Sequence, residues 1–349
     1  MKKFRLLTML GSVAIVVSLI VVGACTKEGP PGKDGVDGKD GEPGINGTDG
    51  TATCGVCHDN SEGVEIKIAQ WEKSYHAMGG HNFENATGCA PCHTSQGFKE
   101  VILTDTSATL AAIADPANIN CYTCHKIHDT YAVGDWELRK STPMTFWLTG
   151  TTVDLGKGNL CVQCHQPRKS YQIPDVNNPE GMYTVTSTRF GPHHGGQGAI
   201  LTGDAMYLVG GGYTNSSHAG IEDACVTCHM ADPIGYTAGG HSFNMYDDYE
   251  GEYNVAGCTG CHSEDEAIEA IEALHPEIEA LLAELGTILE AAGIYNPAGT
   301  SGYAVKGDYP NKIAGAYWNW ISIEEDRSLG VHNPKFVKRI LEKSIESLQ

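Results

Sequence analysis

SSHAGIEDACVTCHM, residues 216–230, carries both kinds of residue on which the fold turns. Cys225, Cys228 and His229 form a Cys-x-x-Cys-His motif, and His218 stands just outside it. Residues three and four apart on a helical turn share one face. Two cysteines at that spacing can each bond one of the two vinyl-derived carbons of a haem, and the histidine that follows can reach the iron. This is the signature of c-type haem attachment.

Outward from residue 225 the motif recurs along the 349-residue chain. The other copies are Cys54, Cys57, His58; Cys89, Cys92, His93; Cys121, Cys124, His125; Cys161, Cys164, His165; and Cys258, Cys261, His262. A Cys-x-x-Cys pair is also half of a zinc site or a redox dithiol. Neither rival requires a histidine directly after the second cysteine in all six copies. Of thirteen cysteines, twelve lie in the motifs and the thirteenth is Cys25, so none is left for a disulfide framework. The expected cofactors are six covalently bound c-type haems.

The N-terminus reads as an address. Lys2, Lys3 and Arg5 precede an apolar run from Leu6 to Val22, the pattern of an export signal over 1–24. The rival reading is one membrane-spanning helix, since the run approaches that length. Val22-Gly23-Ala24-Cys25 resembles a bacterial lipobox. That resemblance implies cleavage before Cys25 and its lipidation, so that acyl chains anchor the protein to a membrane without spanning it.

Residues 25–53 hold the candidate lipidated cysteine and a collagen-like tether. Glycine occurs at 29, 32, 35, 38, 41, 44, 47 and 50, with Pro30, Pro31 and Pro43 between. Only glycine fits at the axis of a triple helix. The run is short and poor in proline, so a solvated tether and a trimerising stalk both stand as readings. Extended at about 3.1 Å per residue, it reaches on the order of 70 Å.

Residues 54–262 form the hexahaem-binding region. Irregular motif spacing excludes a short-period solenoid, and segments rich in Gly, Asn, Thr and Ser predict loops. Hairpin-like pieces are conceivable near Gly181–Val185 and Tyr207–Val209. Residues 263–349 form a helical segment expected to pack on the haem region. Ile268, Ile271, Leu274, Ile278, Leu281, Leu282, Leu285, Ile288 and Leu289 recur at helical spacing. That helix is expected to break at Pro276 and end at Gly293. Asn333 reads as an N-cap with Pro334 at the first helical position, and Phe336, Val337, Ile340, Leu341 and Ile345 supply an apolar face. Tyr317, Trp318 and Trp320, between the two helices, read as ordinary core. The fold class is mostly α and irregular: short helices and long loops wrapped around six haems, C-terminal amphipathic helices and little β-sheet.

A haem with two protein ligands suits electron transfer, whereas one with an open position can bind a substrate. Nine histidines lie outside the motifs: His76, His81, His128, His193, His194, His218, His241, His275 and His332. WEKSYHA (His76), CHKIH (His128), RFGPHHGGQ (His193, His194), SSHAG (His218), GGHSF (His241) and DRSLGVHNPKF (His332) resemble segments of bacterial multihaem cytochromes. That group includes surface cytochromes of extracellular electron transfer and relatives of the pentahaem nitrite reductases. The resemblance implies that His76, His128, one of His193 and His194, His218, His241 and His332 are distal ligands. His81 and His275 are read as non-ligands, His275 as contacting solvent. Met78, Met230 and Met245 are second choices. One departure is informative: no motif here ends in Lys, as the active haem of the nitrite reductases generally requires.

The expected function is a hexahaem cytochrome that relays electrons at the outer membrane or cell surface to an extracellular acceptor or redox partner protein. Assembly into a homo-oligomer or filament is compatible with it, and a periplasm-facing anchor is the other location. The alternative is a reductase or oxidase of a small nitrogen or sulfur compound at one open haem, with Gly191–Gly203 as its candidate site. The formal charge of −20, near −23 without Lys2, Lys3 and Arg5, excludes nucleic acid as a partner, because that requires a basic footprint.

The 296 residues after the tether would serve six haems. Cofactors then supply much of the core, and folding couples to their binding as it does at metal sites. Protein made without haem attachment is expected to be largely unfolded by circular dichroism; native-like helix content would contradict this.

Overall fold

A computed structural model describes residues 62–78, 82–300 and 302–349. The signal segment, Cys25, the tether, the Cys54, Cys57, His58 motif and His81 lie outside the described residues.

Among the described residues the first seven α-helices are short: α1 (Glu62–Trp71), α2 (Ala90–His93), α3 (Ser95–Thr104), α4 (Cys121–Cys124), α5 (Asn159–Val162), α6 (Gln197–Thr202) and α7 (Cys225–His229). Three long ones follow: α8 (Glu264–Ala291), α9 (Asn311–Asp326) and α10 (Pro334–Glu346). The described strands form three two-stranded antiparallel sheets. The expected balance of short helices, loops and little sheet is what the chain adopts.

The local reasons are visible in α8. Ser263 caps it: its hydroxyl accepts from Glu266 N at 3.3 Å, and the Glu266 carboxylate accepts from Ser263 N at 2.9 Å. This reciprocal box satisfies two orphan donors, and Glu264, Asp265 and Glu266 meet the positive end of the helix dipole. The helix does not break at Pro276, contrary to expectation. Pro276 is exposed, so the carbonyl of Glu272, which its missing N–H leaves unpaired, sits on the solvent side. On the opposite side Ile278, Leu282, Leu285 and Leu289 are buried in one cluster. Tertiary packing of that face outweighs the lost hydrogen bond.

Tyr317, Trp318 and Trp320 lie not between helices but within α9, which the sequence reading did not anticipate. They are core residues, as expected. Trp318 Nε1 donates to Ala205 O and Trp320 Nε1 to Leu282 O, each at 2.9 Å. Gly286 makes room for that second contact, since a Cβ there would stand 3.3 Å from Trp320 Nε1. Buried Asn319 accepts from the backbone N–H of Tyr207 and donates to its backbone carbonyl, each at 2.8 Å, and donates to Ser344 Oγ at 2.9 Å. Val185, Phe190, Ile200 and Met206 join the residues of α8, α9 and α10 in the same cluster. The C-terminal helices therefore pack directly on the segment before them.

Met182–Val185 is a strand, but its partner is Gly307–Pro310, with Met182 opposite Pro310. It is not half of a local hairpin, and Tyr207–Val209 is not a strand. Asn333 is at the N-cap of α10 with Pro334 following, as expected, yet its side chain caps nothing. It donates instead to Ile200 O and Leu201 O at 3.1 Å and to Asn215 Oδ1 at 2.8 Å, and accepts from Ser216 N. No helix among the described residues is long and apolar enough to cross a membrane.

A well-packed C-terminal cluster leaves residual helix available to haem-free protein, which narrows the expected loss to residues before 263. In the loaded protein, Leu285→Ala should cost about 2–5 kcal/mol through lost burial and a cavity. Asn333→Ala should cost at least about 1–3 kcal/mol by stranding buried partners. Denaturant unfolding checks both.

Candidate haem-binding cavity

Each described motif folds as a single helical turn. The histidine N–H donates to the carbonyl of the first cysteine at 3.1 Å for His93, 2.9 Å for His125, and 3.0 Å for both His165 and His262. The remaining motif is α7 itself. A bond of the i to i−4 type places the two cysteines on one face, with the histidine one residue further round. The first cysteine starts its turn with varied help. Asn120 caps α4 with a box closed by Thr123, whereas Pro91 stiffens the start of α2.

The motifs converge. All ten described motif cysteines and all thirteen described histidines line one cavity of about 2670 Å³. This is several times the roughly 300–1,000 Å³ of a small-molecule pocket. Neighbouring motifs touch one another. Cys92 Sγ lies 3.9 Å from Cys164 O, and Cys164 Sγ lies 3.7 Å from Pro91 O. Cys161 and Cys225 meet through their thiols. Two glycines allow the next approaches: a Cβ on Gly158 would lie 3.3 Å from Cys225 N, and one on Gly257 only 2.5 Å from Thr227 O. Contacts therefore run from the motif at 89 to those at 161, 225 and 258, with the motif at 121 near that at 161 through Cys124.

Four motif histidines face a histidine from outside the motifs. The ring centroids are 6.2 Å apart for His165 and His76, and 6.4 Å for His93 and His193. They are 6.4 Å apart for His125 and His241, and 6.1 Å for His229 and His332. Each pair joins segments distant in sequence. Among the described residues no group of three or more His, Cys, Asp or Glu converges to hold a metal ion, as a zinc site would require.

The other named histidines are placed as follows. His194, its ring centroid 4.5 Å from that of His193, bonds Glu325, its Nδ1 at 3.1 Å and its backbone N–H at 2.8 Å. His218 Nδ1 meets Val331 O at 2.7 Å. His128 Nδ1 meets Tyr122 Oη at 3.2 Å, and its ring stacks on Tyr131. His275, read as contacting solvent, is half-buried on the cavity wall with its ring 6.0 Å from that of Tyr253.

The outer nitrogens of these rings are held. His125 Nδ1 meets Trp136 O at 2.6 Å, His229 Nδ1 meets Phe243 O at 2.8 Å, and His165 Nδ1 meets Gln197 Oε1 at 3.0 Å. His332 Nδ1 meets Asp326 Oδ1 at 2.7 Å, and His93 Nδ1 lies 3.3 Å from Glu84 Oε2. With Nδ1 donating its proton outward, Nε2 keeps a lone pair for a metal. Burial also keeps most of these imidazoles neutral. It lowers His76 to about 4, helped by positive charge on His165 and His229. It lowers His193 to about 3, with Arg168 adding to the effect, and His241 to about 4. His165, His229 and His93 are lowered for the same first reason. Two are raised instead: burial pushes His332 down, but the Asp326 carboxylate outweighs that and holds it above the usual value, and the hydrogen bond to Glu325 raises His194.

These residues fit haem. Two nitrogens bound trans to one metal at about 2.0 Å each put imidazole centroids roughly 6.3 Å apart, close to the four measured separations. The holding groups Gln197, Glu325 and Asp326 escaped sequence reasoning. No spacing links them to the rings they hold, except that Asp326 is six residues before His332 in a non-repeating turn.

No family model matches this chain, and no curated protein does. Its structure is similar to the crystal structure of the outer cell wall cytochrome OcwA, with a TM-score of 0.50 and 20% sequence identity over 81% of this chain. The match covers 50% of that protein, so this chain spans about half its length. At that identity the likeness concerns the fold alone: helices and loops with little sheet.

Proposed function

We propose that this chain is a hexahaem c-type cytochrome that relays electrons. The observation that carries this reading is the set of four facing histidine pairs inside one cavity lined by the motif cysteines. In it the motif cysteines attach six haems, and the motif histidines are proximal ligands. His76 serves the motif at 161, His193 the motif at 89, His241 the motif at 121 and His332 the motif at 225. His218 and His128 complete the distal set on the strength of the family resemblance. Bound haem supplies a one-electron iron couple. The protein orients the imidazoles of His93, His125, His165, His229 and His332 through their outer nitrogens, favours the neutral form of His76, His93, His165, His193, His229 and His241 by burial, and sets the motifs against one another so that electrons pass between neighbours.

Facing pairs favour the relay over the open-haem enzyme. The candidate site of that enzyme, Gly191–Gly203, has its two histidines engaged, His193 opposite His93 and His194 on Glu325. The proposal extends to an exported lipoprotein anchored through Cys25, with the Gly-x-x segment as spacer and an extracellular acceptor or redox protein as partner. The name of OcwA places that cytochrome at an outer cell wall, which is in keeping with a surface location here.

Haem analysis of the purified protein should find six per chain, one for each motif. Electron paramagnetic resonance of the oxidised protein should give low-spin signals alone. A high-spin haem shifted by nitrite, hydroxylamine or sulfite would refute the relay. His193→Ala should turn one haem high-spin, whereas His194→Ala should leave the spectrum unchanged.

A further inference from the structure

The last turn of α9 reaches the ligand candidates of three adjoining motifs. Glu325 grips His194 by its backbone N–H and its ring, which anchors the peptide next to His193. The Glu325 carbonyl accepts from Gln197 Nε2 at 3.4 Å, and the Oε1 of the same side chain meets His165 Nδ1. Asp326 acts most directly. Its side chain is 0% exposed, its Oδ1 meets His332 Nδ1 at 2.7 Å, and its Oδ2 accepts from Ser328 Oγ.

The partners of Nδ1 differ in charge. Backbone carbonyls hold His125, His218 and His229, and an amide oxygen holds His165. Among the proposed ligands with a described partner, carboxylates lie at His93 and His332, the first at 3.3 Å beside a ring 36% exposed, the second shorter and buried. A carboxylate draws the Nδ1 proton more strongly than a carbonyl and makes the imidazole a more basic ligand. A more basic ligand stabilises the oxidised iron. Burial leaves the charge of Asp326 poorly screened, which strengthens the effect.

We propose that Asp326 is a positioning residue for His332 that makes the haem held by Cys225, Cys228, His229 and His332 the most reducing in the chain. This rests on the reading that His229 and His332 bind one iron. The motif lies between those at 161 and 258, so electrons cross this haem without accumulating on it. The last haem to be reduced is then an interior one, not one at the end of the row.

Potentiometry of the haem-loaded protein, followed optically and by paramagnetic resonance, tests this. The low-spin signal abolished by His332→Ala identifies the haem, and in the wild type that signal should be the last to be reduced. Asp326→Asn keeps the shape but removes the charge. It should lower the oxidised-to-reduced ratio of that haem about tenfold at fixed potential, a positive shift of about 59 mV for one electron. Ser328→Ala frees Oδ2, with the loss of one 3.3 Å bond from His332 N, and should shift the same haem the opposite way while His332 stays bound and the signal stays low-spin; its sign decides the matter if the asparagine variant does not accumulate. Unchanged midpoints at full haem content, or a shift confined to another haem, overturn the assignment alone. Absence of haem from this motif in the wild type overturns the proposed function with it.

Discussion

The hydrogen bond from a motif histidine N–H to the carbonyl of the motif's first cysteine is a modest interaction with wide consequences. It closes five residues into one turn, so two thiols and an imidazole leave the backbone in a fixed relation. Because the turn is self-contained, it needs no long helix to carry it, and α2, α4 and α5 are only four residues long. Short turns can be set at any angle to one another. That freedom lets motifs far apart in sequence line a single cavity, with Cys92 against Cys164 and Cys161 against Cys225.

Around the motifs the apolar core is small, with Met144, Phe146, Leu155 and Val162 among its buried residues, and the C-terminal helices add the larger one. The buried faces of α8, α9 and α10 enclose Trp318, Trp320 and Asn319, and the strand Met182–Val185 is pinned to Gly307–Pro310. This rigid part also reaches the cavity. Asp326 ends α9, and His332 and Asn333 lead into α10. The same helices that bury apolar surface thus aim side chains at His332, His194 and, through Gln197, His165. Stability and ligand geometry share one scaffold.

Electrostatics set the balance within the cavity. Thirteen histidines around one space would repel if charged, and burial holds His76, His193 and His241 far below the usual imidazole range. Neutral rings are the form that ligates. Uncharged oxygens at His125, His165, His218 and His229 orient the rings without adding charge. Against that background the carboxylate of Asp326 stands out, since a buried charge is costly unless it is paired.

The sequence by itself determined the local chemistry: the repeated Cys-x-x-Cys-His turn, the apolar face of α8, and a mostly helical chain with little sheet. These follow from i, i+3 and i, i+4 spacing, which is fixed by backbone geometry and needs no partner. It also pointed to His76, His193, His241 and His332 through family resemblance, but left His193 and His194 unresolved. Tertiary structure decided what depends on distant segments. It set His193 rather than His194 against His93, kept α8 continuous through Pro276, and paired Met182–Val185 across the chain. It turned Asn333 from a cap into a tie between loops, and brought Asp326 to His332. Each outcome rests on packing between segments, whose energy no local pattern encodes.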